Sequence, residues 1–154
     1  MDDESLKIDP PLYLVSTREF CWRCDAEMPV VALLAPNVHG SHGEACVLSN
    51  ITELPKSILT YVQQQFPTFK LRYSKTVDAR YYANTCPKCG VIYGDFYLHR
   101  EPGAAFFPTE EEEARTLSIE TVPLADKMIS MQASCGFGVA DLILQHAKPR
   151  VPNL

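Results

Sequence analysis

Six cysteines are the residues of this 154-residue chain whose type and spacing point most directly to chemistry. Four of them form two pairs, CWRC at Cys21–Cys24 and CPKC at Cys86–Cys89. Two intervening residues let both sulfurs of a pair face one point from a tight turn, so two pairs supply four corners of a tetrahedron. We therefore expect Cys21, Cys24, Cys86 and Cys89 to bind one structural Zn²⁺ ion.

The second pair resembles the zinc knuckles of zinc-ribbon and rubredoxin-like proteins. Gly90 follows the pair directly, and the strand-like segment Val91–Tyr93 comes next. In such knuckles the glycine permits the turn, and main-chain N–H groups point at the sulfurs. The first pair departs from this pattern, because Asp25 stands where glycine is usual. The resemblance implies a structural metal and an antiparallel sheet, but it implies no reaction.

A long insertion separates the two pairs, since residues 25–85 lie between them. A single four-cysteine site must therefore join an early hairpin to a mid-chain hairpin. Pro55–Phe66 is predicted to be a helix within this insertion, because proline suits the first helical turn and apolar residues recur at helical spacing. A second helix is predicted at Val139–Ala147, near the carboxyl end of the chain.

The fold class we expect is α+β: an antiparallel sheet with zinc-ribbon knuckles, an inserted helix and a C-terminal helix. Hydrophobic residues make up 46% and charged residues 21% of the chain, which excludes wholesale disorder. Residues 1–10 are predicted to be a flexible acidic tail, and residues 11–150 one zinc-stapled domain. Thr109 is predicted to cap a short helix at residues 110–115. Strands are predicted at residues 12–15, 30–34, 69–73, 80–83, 91–93 and 117–122.

The formal net charge of −5 is unevenly distributed. Residues 1–9 carry −3 and Glu110–Glu113 carry −4, so the rest of the chain is +2, with a local excess of +4 across Lys70–Lys88. Acidic tracts favour contact with basic surfaces and disfavour general binding to phosphate backbones. Glu110, Glu111, Glu112 and Glu113 are therefore candidates for contact with a partner.

No assembled set of catalytic residues is recognisable, so we expect a non-enzymatic protein-binding module. Its format, small and acidic without catalytic motifs, resembles bacterial immunity proteins. This resemblance in type implies an inhibitor that neutralises a basic nuclease-type toxin. The amino terminus is acidic where a secretory signal would be basic and then apolar, which predicts a cytoplasmic protein.

Two other functions remain open from the sequence. A nucleic-acid-associated zinc ribbon could use Arg72, Lys75, Arg80 and Lys88 together with neighbouring tyrosines, which can stack on bases. A deaminase-like enzyme could instead use His42 and Glu44 with Cys86 and Cys89, a set that loosely resembles the H-x-E…P-C-x-x-C signature of zinc nucleotide deaminases.

The remaining cysteines and histidines give weaker signals. His39, His42 and Cys46 have a spacing compatible with a second metal site, although a glycine-rich loop favours simple flexibility. Cys46 and Cys135 have no cysteine nearby in the sequence, and we expect them to be buried, inert thiols.

Overall fold

The structure of the chain is a computed structural model that describes residues 4–125 and 127–151. In these ranges the strands are β1 (Glu4–Asp9), β2 (Tyr13–Phe20), β3 (Glu27–Ala35), β4 (Asn37–Val38), β5 (Cys46–Glu53), β6 (Phe69–Ser74), β7 (Ala79–Thr85), β8 (Ile92–Tyr93), β9 (Ser118–Thr121), β10 (Ile129–Gly136) and β11 (Lys148–Pro149). The helices are α1 (Lys56–Gln65), α2 (Asp95–His99), α3 (Glu111–Arg115) and α4 (Ala140–His146). None of these described helices has the length and apolar character needed to cross a lipid bilayer.

Eight strands form the main sheet, in the order β11-β9-β2-β3-β5-β10-β1-β4. Strands β2 and β3 form its longest hairpin, from Tyr13 opposite Leu34 to Phe20 opposite Glu27. Every neighbouring pair in this sheet is antiparallel except β11 beside β9. The main sheet is thus the antiparallel sheet that the sequence predicts.

The centre of the main sheet is buried on both faces, as the burial of β3 shows. Successive side chains of a strand point to opposite faces, so β3 contributes to two separate apolar clusters. Val31 and Leu33 belong to the first core, which also receives Ile58 and Val62 of α1. Val30, Ala32 and Leu34 belong to the second core, which also receives Cys21, Cys86, Phe106, Ala140 and Ile143. A nearly continuous apolar run is what a strand covered on both faces requires.

Three further strands form a small antiparallel sheet in the order β6-β7-β8. The buried side chain of Asn84 on β7 connects this sheet to β3. Its Oδ1 accepts a hydrogen bond from the Val31 N–H at 2.9 Å, and its Nδ2 donates to the Val31 carbonyl at 3.1 Å. Strand β5 pairs with β3 only from Leu33 to Ala35, so Asn84 satisfies the main chain of β3 beyond that ladder.

A buried polar cluster joins α1 to the end of the chain. Glu120 on β9 is buried, and its Oε1 accepts hydrogen bonds from the Tyr61 hydroxyl at 2.9 Å and from Gln65 Nε2 at 2.7 Å. Its Oε2 forms an ion pair with Arg150. The Arg150 guanidinium also lies 4.9 Å from the centroid of the Phe66 ring. This Glu120 cluster ties the inserted helix to β9 and to the residue that follows β11.

The α+β class and both longer helices are confirmed by the structure. Pro55 directly precedes α1, and α4 falls within the predicted Val139–Ala147 segment. The prediction of a flexible acidic tail is wrong for residues 4–9, because they form β1 between β10 and β4. Residues 1–3 lie outside the described residues. Alternating Leu6 and Ile8 are buried there, and their burial outweighs the acidic neighbours that suggested a tail.

The capping of α3 is the reverse of the prediction. Thr109 does not cap the helix with its hydroxyl, because Glu110 is the N-cap residue and makes no side-chain capping bond. Instead the Glu113 carboxylate accepts hydrogen bonds from the Thr109 N–H and hydroxyl, both at 2.8 Å. These bonds lower the pKa of Glu113, since they favour its ionised form.

Candidate metal centre

Each cysteine pair lies in the turn at the end of a hairpin. Cys21 and Cys24 occupy the turn between β2 and β3 of the main sheet, while Cys86 and Cys89 occupy the turn between β7 and β8 of the small sheet. The two turns meet, so the four sulfurs connect the two sheets. This is the connection between an early and a mid-chain hairpin that the spacing of the pairs predicts.

The four Sγ atoms lie within 4.8 Å of one another. Cys21 Sγ is 3.6 Å from Cys89 Sγ, and Cys24 Sγ is 3.5 Å from Cys86 Sγ. Cys21 and Cys86 are buried, whereas Cys24 and Cys89 are partly exposed. The four cysteines are therefore close enough to hold one metal ion.

The two turns share one hydrogen-bonding pattern. In the first, Cys21 N–H donates to the Ala26 carbonyl at 2.8 Å and Asp25 N–H donates to the Cys21 carbonyl at 2.9 Å. In the second, Cys86 N–H donates to Val91 and Gly90 N–H donates to Cys86, both at 2.9 Å. Equivalent bonds in both turns present the two cysteine pairs to the centre in the same way.

Main-chain N–H groups also point at the sulfurs. The Arg23 N–H donates to Cys21 Sγ at 3.4 Å, and the Lys88 N–H donates to Cys86 Sγ at 3.4 Å. Such donors favour the thiolate, which is the form of cysteine that binds metals. Arg23 and Lys88 occupy the same place in their turns, so the residue that donates to the first sulfur of each pair is cationic in both turns.

Asp25 adopts the conformation that glycine adopts in the other turn. Its φ is 62°, and that of Gly90 is 80°. This left-handed region costs most residues about 1–2 kcal/mol, although aspartate tolerates it better than bulkier residues. The first pair therefore has aspartate where the knuckle pattern has glycine, but its turn has the same left-handed backbone conformation as the second turn.

The pKa values of the cysteine thiols at this site are shifted in different directions. Main-chain N–H donors, those of Cys89 and then Lys88, lower the pKa of Cys86 to about 6 against the opposing effect of burial. The pKa of Cys21 is lowered too, chiefly by the N–H of Cys24. The Ala26 N–H favours the thiolate of Cys24, but burial and the three neighbouring sulfurs raise the pKa of Cys24 to about 11. Without a cation, these sulfurs oppose complete deprotonation of one another.

Two long side chains form hydrogen bonds to the second turn and to the strand after it, and the sequence predicts neither contact. Trp22 donates from Nε1 to the Ile92 carbonyl at 2.9 Å, and Arg72 donates from an Nη to the Gly90 carbonyl at 2.9 Å. Trp22 thus reaches from the first turn to the strand that follows the second. The sequence shows that Trp22 lies inside a cysteine pair. It does not show the hydrogen bond, because the acceptor, the Ile92 carbonyl, is 70 residues away.

The other proposed ligand sets are not assembled in the described ranges. There, the four cysteines are the only group of three or more His, Cys, Asp or Glu residues with ligand atoms close enough to share a metal ion. His42 does not join Cys86 and Cys89, as the deaminase-like arrangement requires, nor do His39, His42 and Cys46 form a group. His39 instead contacts Asp9, with 3.0 Å between Nε2 and Oδ2.

Cys46 is buried as expected and Cys135 only partly so, and the two, which are far apart in the sequence, are neighbours in the fold. Cys46 is buried in the first core, and Cys135 packs against that core. Contact with the Cys135 thiol, followed by burial, raises the pKa of Cys46. The register of β5 and β10 brings them together, which sequence separation could not reveal.

The four glutamates of the acidic tract have different surroundings. Glu111 forms an ion pair with Arg115 at 3.0 Å and its carboxylate lies 3.6 Å from His146 Nε2, while Glu113 accepts hydrogen bonds from Thr109. Glu110 and Glu112 are exposed. Half of the tract is therefore engaged within the protein.

The basic candidates are spread over the small sheet and the second turn. Tyr73 and Arg80 lie opposite each other on β6 and β7, and Tyr73 is half exposed. Lys75 and Lys88 are exposed, whereas Arg72 is partly buried beside Gly90.

Comparisons with known protein families, curated proteins and solved structures found no significant match.

Proposed function

We propose that Cys21, Cys24, Cys86 and Cys89 hold one structural Zn²⁺ ion in two turns of the zinc-ribbon knuckle type. Tetrahedral zinc with Zn–S bonds of about 2.3 Å places its sulfurs about 3.8 Å apart. The separations of 3.5 and 3.6 Å across the two turns support this assignment. Zinc in a closed four-sulfur site leaves no open position for substrate, so its role is structural.

We further propose that the protein is a non-enzymatic protein-binding module and that the zinc ion stabilises its fold. The observation that carries the proposal is the pair of exposed aromatic side chains beside the metal centre, Phe20 and Trp22, which are 63% and 64% exposed. Trp22 is held by its hydrogen bond to Ile92, so its ring is presented at little further cost in side-chain entropy. Tryptophan and other aromatic residues dominate binding hot spots when a partner buries them.

The partner we propose carries a basic surface, as a nuclease-type toxin does, and the chain acts as its inhibitor in the manner of an immunity protein. The net charge of −5 and the exposed Glu110 and Glu112 support this choice. Since Glu111 and Glu113 are engaged internally, we expect them to contribute less to binding than Glu110 and Glu112. Charges at the rim of an interface act mainly on the rate of association.

Affinity for a stoichiometric partner co-purified from native lysate tests the proposal. We expect Trp22→Ser to weaken binding at least tenfold, and Glu110→Gln with Glu112→Gln to slow association at low salt. Phe137→Ser is the matched control, because Phe137 is a half-exposed aromatic residue outside the metal turns. If wild type, Trp22→Ser and Phe137→Ser bind the partner equally well, Phe20 and Trp22 do not form the docking surface. If Glu110→Gln with Glu112→Gln associates with the partner as fast as wild type, the acidic residues do not contact it.

A second candidate function is binding of single-stranded nucleic acid on the small sheet. The specific observation in its favour is the exposed Tyr73, which lies opposite Arg80 and near Lys75. An aromatic ring can stack on a base while the cations contact phosphates. Binding of a fluorescent oligonucleotide should then weaken with salt by about 0.7 log units per phosphate contact for each log unit of salt. Absence of binding at low salt would exclude this function.

A further inference from the structure

Strand β6 forms one edge of the small sheet, since among the described strands it pairs with β7 alone. Its first residue is covered by α1 and by the residue that follows that helix. Gln63 donates from Nε2 to the Phe69 carbonyl at 3.0 Å, and the Phe69 N–H donates to the Phe66 carbonyl at 3.0 Å. The rest of β6, Lys70–Ser74, continues beyond this cover towards the hairpin turn. The open edge is therefore the part of β6 that follows Phe69.

The main-chain groups of Leu71 and Tyr73 face the open side of the sheet. The Thr85 N–H donates to the Thr68 carbonyl at 3.1 Å, so these two residues form a hydrogen-bonded pair of the β6–β7 ladder. Hydrogen-bonded and non-hydrogen-bonded pairs alternate along an antiparallel ladder. Leu71 and Tyr73 follow Thr68 by an odd number of residues, so their N–H and C=O groups point away from β7. Among the described residues, no group is hydrogen-bonded to them.

The same two residues carry exposed apolar side chains. Leu71 is 43% exposed and Tyr73 is 51% exposed. Both side chains lie on one face of the sheet, because alternate residues of a strand share a face. The Tyr73 hydroxyl donates to Asp78 Oδ1, which holds the ring against the hairpin. Outward main-chain groups beside exposed apolar side chains are the features that an added strand covers.

The charges around the open edge are positive. Lys70 and Lys75 flank it, and Arg80 lies opposite Tyr73. All three cations are exposed, and none of them forms an ion pair with another described residue. Asp78 is the only carboxylate of the hairpin, and it already accepts the Tyr73 hydroxyl. A second copy of β6 would bring the same cations to this edge, so the charges disfavour self-pairing and favour an acidic occupant.

We propose that the open edge of β6 binds an extended acidic segment of a partner protein, which adds a strand beside Leu71 and Tyr73. The main chain of that segment pairs with the outward N–H and C=O groups of these two residues. Its side chains alternate between the two faces, so apolar residues pack on Leu71 and Tyr73 while glutamates on the other face meet Lys70. Single-stranded nucleic acid could contact the same cations, but it has no main chain that continues a sheet. The proposal goes beyond the proposed function, because it uses neither the zinc ion nor the aromatic and acidic residues assigned there.

The probe is a fluorescently labelled peptide with blocked ends and the sequence Glu-Val-Glu-Val-Glu-Val-Glu, titrated with the full-length protein as isolated. Fluorescence anisotropy should show saturable binding that weakens as salt is raised. One control peptide has lysine in place of every glutamate, and it should not bind because its charge is reversed. The other has proline in place of every valine, which keeps the charge but removes main-chain N–H groups. It should bind about tenfold more weakly or less.

Leu71→Pro separates main-chain pairing from the contacts of the side chain. Proline is tolerated on an edge strand where the missing N–H faces outward, so the β6–β7 ladder should persist in this variant. Leu71→Pro should abolish peptide binding, whereas Leu71→Ala keeps the N–H and should weaken binding less. Lys70→Glu should weaken binding about tenfold. Lys56→Glu is its matched control, because Lys56 is an exposed lysine of α1, and this variant should bind as wild type does.

Saturable binding of the acidic peptide, lost in Leu71→Pro and weakened in Lys70→Glu, would support the proposal. Absence of binding at low salt, equal binding of the proline-containing peptide, or equal binding by Leu71→Pro and wild type would each overturn it. If Leu71→Pro fails to fold, the proline-containing peptide decides the same point. Tighter binding of a short oligothymidylate than of the peptide would assign the edge to nucleic acid. Self-association that Leu71→Pro abolishes would assign the edge to a second copy of the chain, and either result would overturn the proposal.

Discussion

The metal centre and the Glu120 cluster join distant segments of the chain by opposite means. The four sulfurs of the metal centre repel one another once ionised and need a cation from outside. The Glu120 cluster contains its own cation, since Arg150 faces the carboxylate and Tyr61 and Gln65 donate to it. With the zinc ion that we propose, the first connection depends on a ligand, whereas the Glu120 cluster is formed by residues of the chain alone.

This difference predicts how each connection fails. Loss of metal removes the attraction between two turns and leaves thiols that become neutral on protonation. Loss of one partner in the Glu120 cluster leaves a buried charge that cannot escape to water. We therefore expect the metal centre to respond to chelators and the Glu120 cluster to respond to substitution only.

The largest effect should follow removal of the metal. Structural zinc contributes about 10–16 kcal/mol in small zinc domains, as much as the whole stability of an ordinary domain. Chelation or Cys86→Ser should therefore abolish cooperative unfolding, measured by urea denaturation. Cys135→Ser is the control, because Cys135 lies outside the four-cysteine group. A Cys86→Ser variant that unfolds at the wild-type urea concentration would contradict the role given to the metal.

Arg150→Met should have the next largest effect. It leaves Glu120 buried without its cation, and breaking a buried pair in this way costs about 3–5 kcal/mol. Arg115→Met is the matched control, because the Arg115–Glu111 pair is exposed and should contribute about 1 kcal/mol or less. Adding Glu120→Gln to Arg150→Met should recover part of the lost stability. Equal urea midpoints for Arg150→Met and Arg115→Met would remove the distinction between buried and exposed pairs.

The pH dependence of stability should reveal a buried carboxyl, that of Asp95, which belongs to neither connection. Burial raises the pKa of Asp95 from 3.8 to about 7, against the opposing effect of the Asn50 N–H that donates to Asp95 Oδ2 at 2.8 Å. The native state thus keeps a proton that the unfolded chain releases between about pH 4 and 7. The contribution of Asp95 is fully present below pH 4 and is lost as pH rises through 7, by up to about 4 kcal/mol.

Asp95→Asn should remove this dependence, because asparagine can still accept the Asn50 N–H without titrating. Urea unfolding of metal-loaded protein at pH 4.5, 6 and 8 measures the effect. Asp141→Asn, at an exposed position of α4, should keep the wild-type slope. If Asp95→Asn and wild type lose stability in parallel over this range, the buried carboxyl is not the source.

The smallest effect on stability should come from substitutions at Gly90 and Asp25, the equivalent left-handed positions of the two metal turns. Gly90→Ala places a Cβ at a φ of 80° and should destabilise the protein by about 1 kcal/mol. Asp25→Gly makes the reverse change at the equivalent position and should leave stability unchanged or raise it by up to about 1 kcal/mol. Thermal unfolding of the metal-loaded variants provides the measurement. A marked loss in Asp25→Gly would show that the Asp25 side chain has a role that the shared turn does not explain.

How much of this structure could be predicted depends on whether the signal is local. The cysteine pairs, the α1 stripe and the β3 apolar run each lie within a few residues, and each prediction is confirmed in its coarse form. Strand β1 was missed because Leu6 and Ile8 lie among acidic residues, and their burial depends on β10 more than 120 residues later. The Asn84–Val31 link and the Glu120 cluster also depend on contacts between segments that are distant in the sequence, which leave no local pattern.

The most direct test of the zinc assignment is the metal content and X-ray absorption spectrum of the protein as isolated. We predict one zinc ion per chain with four sulfur neighbours at about 2.3 Å. Substoichiometric metal, iron in place of zinc, or a first shell with fewer than four sulfurs would contradict it.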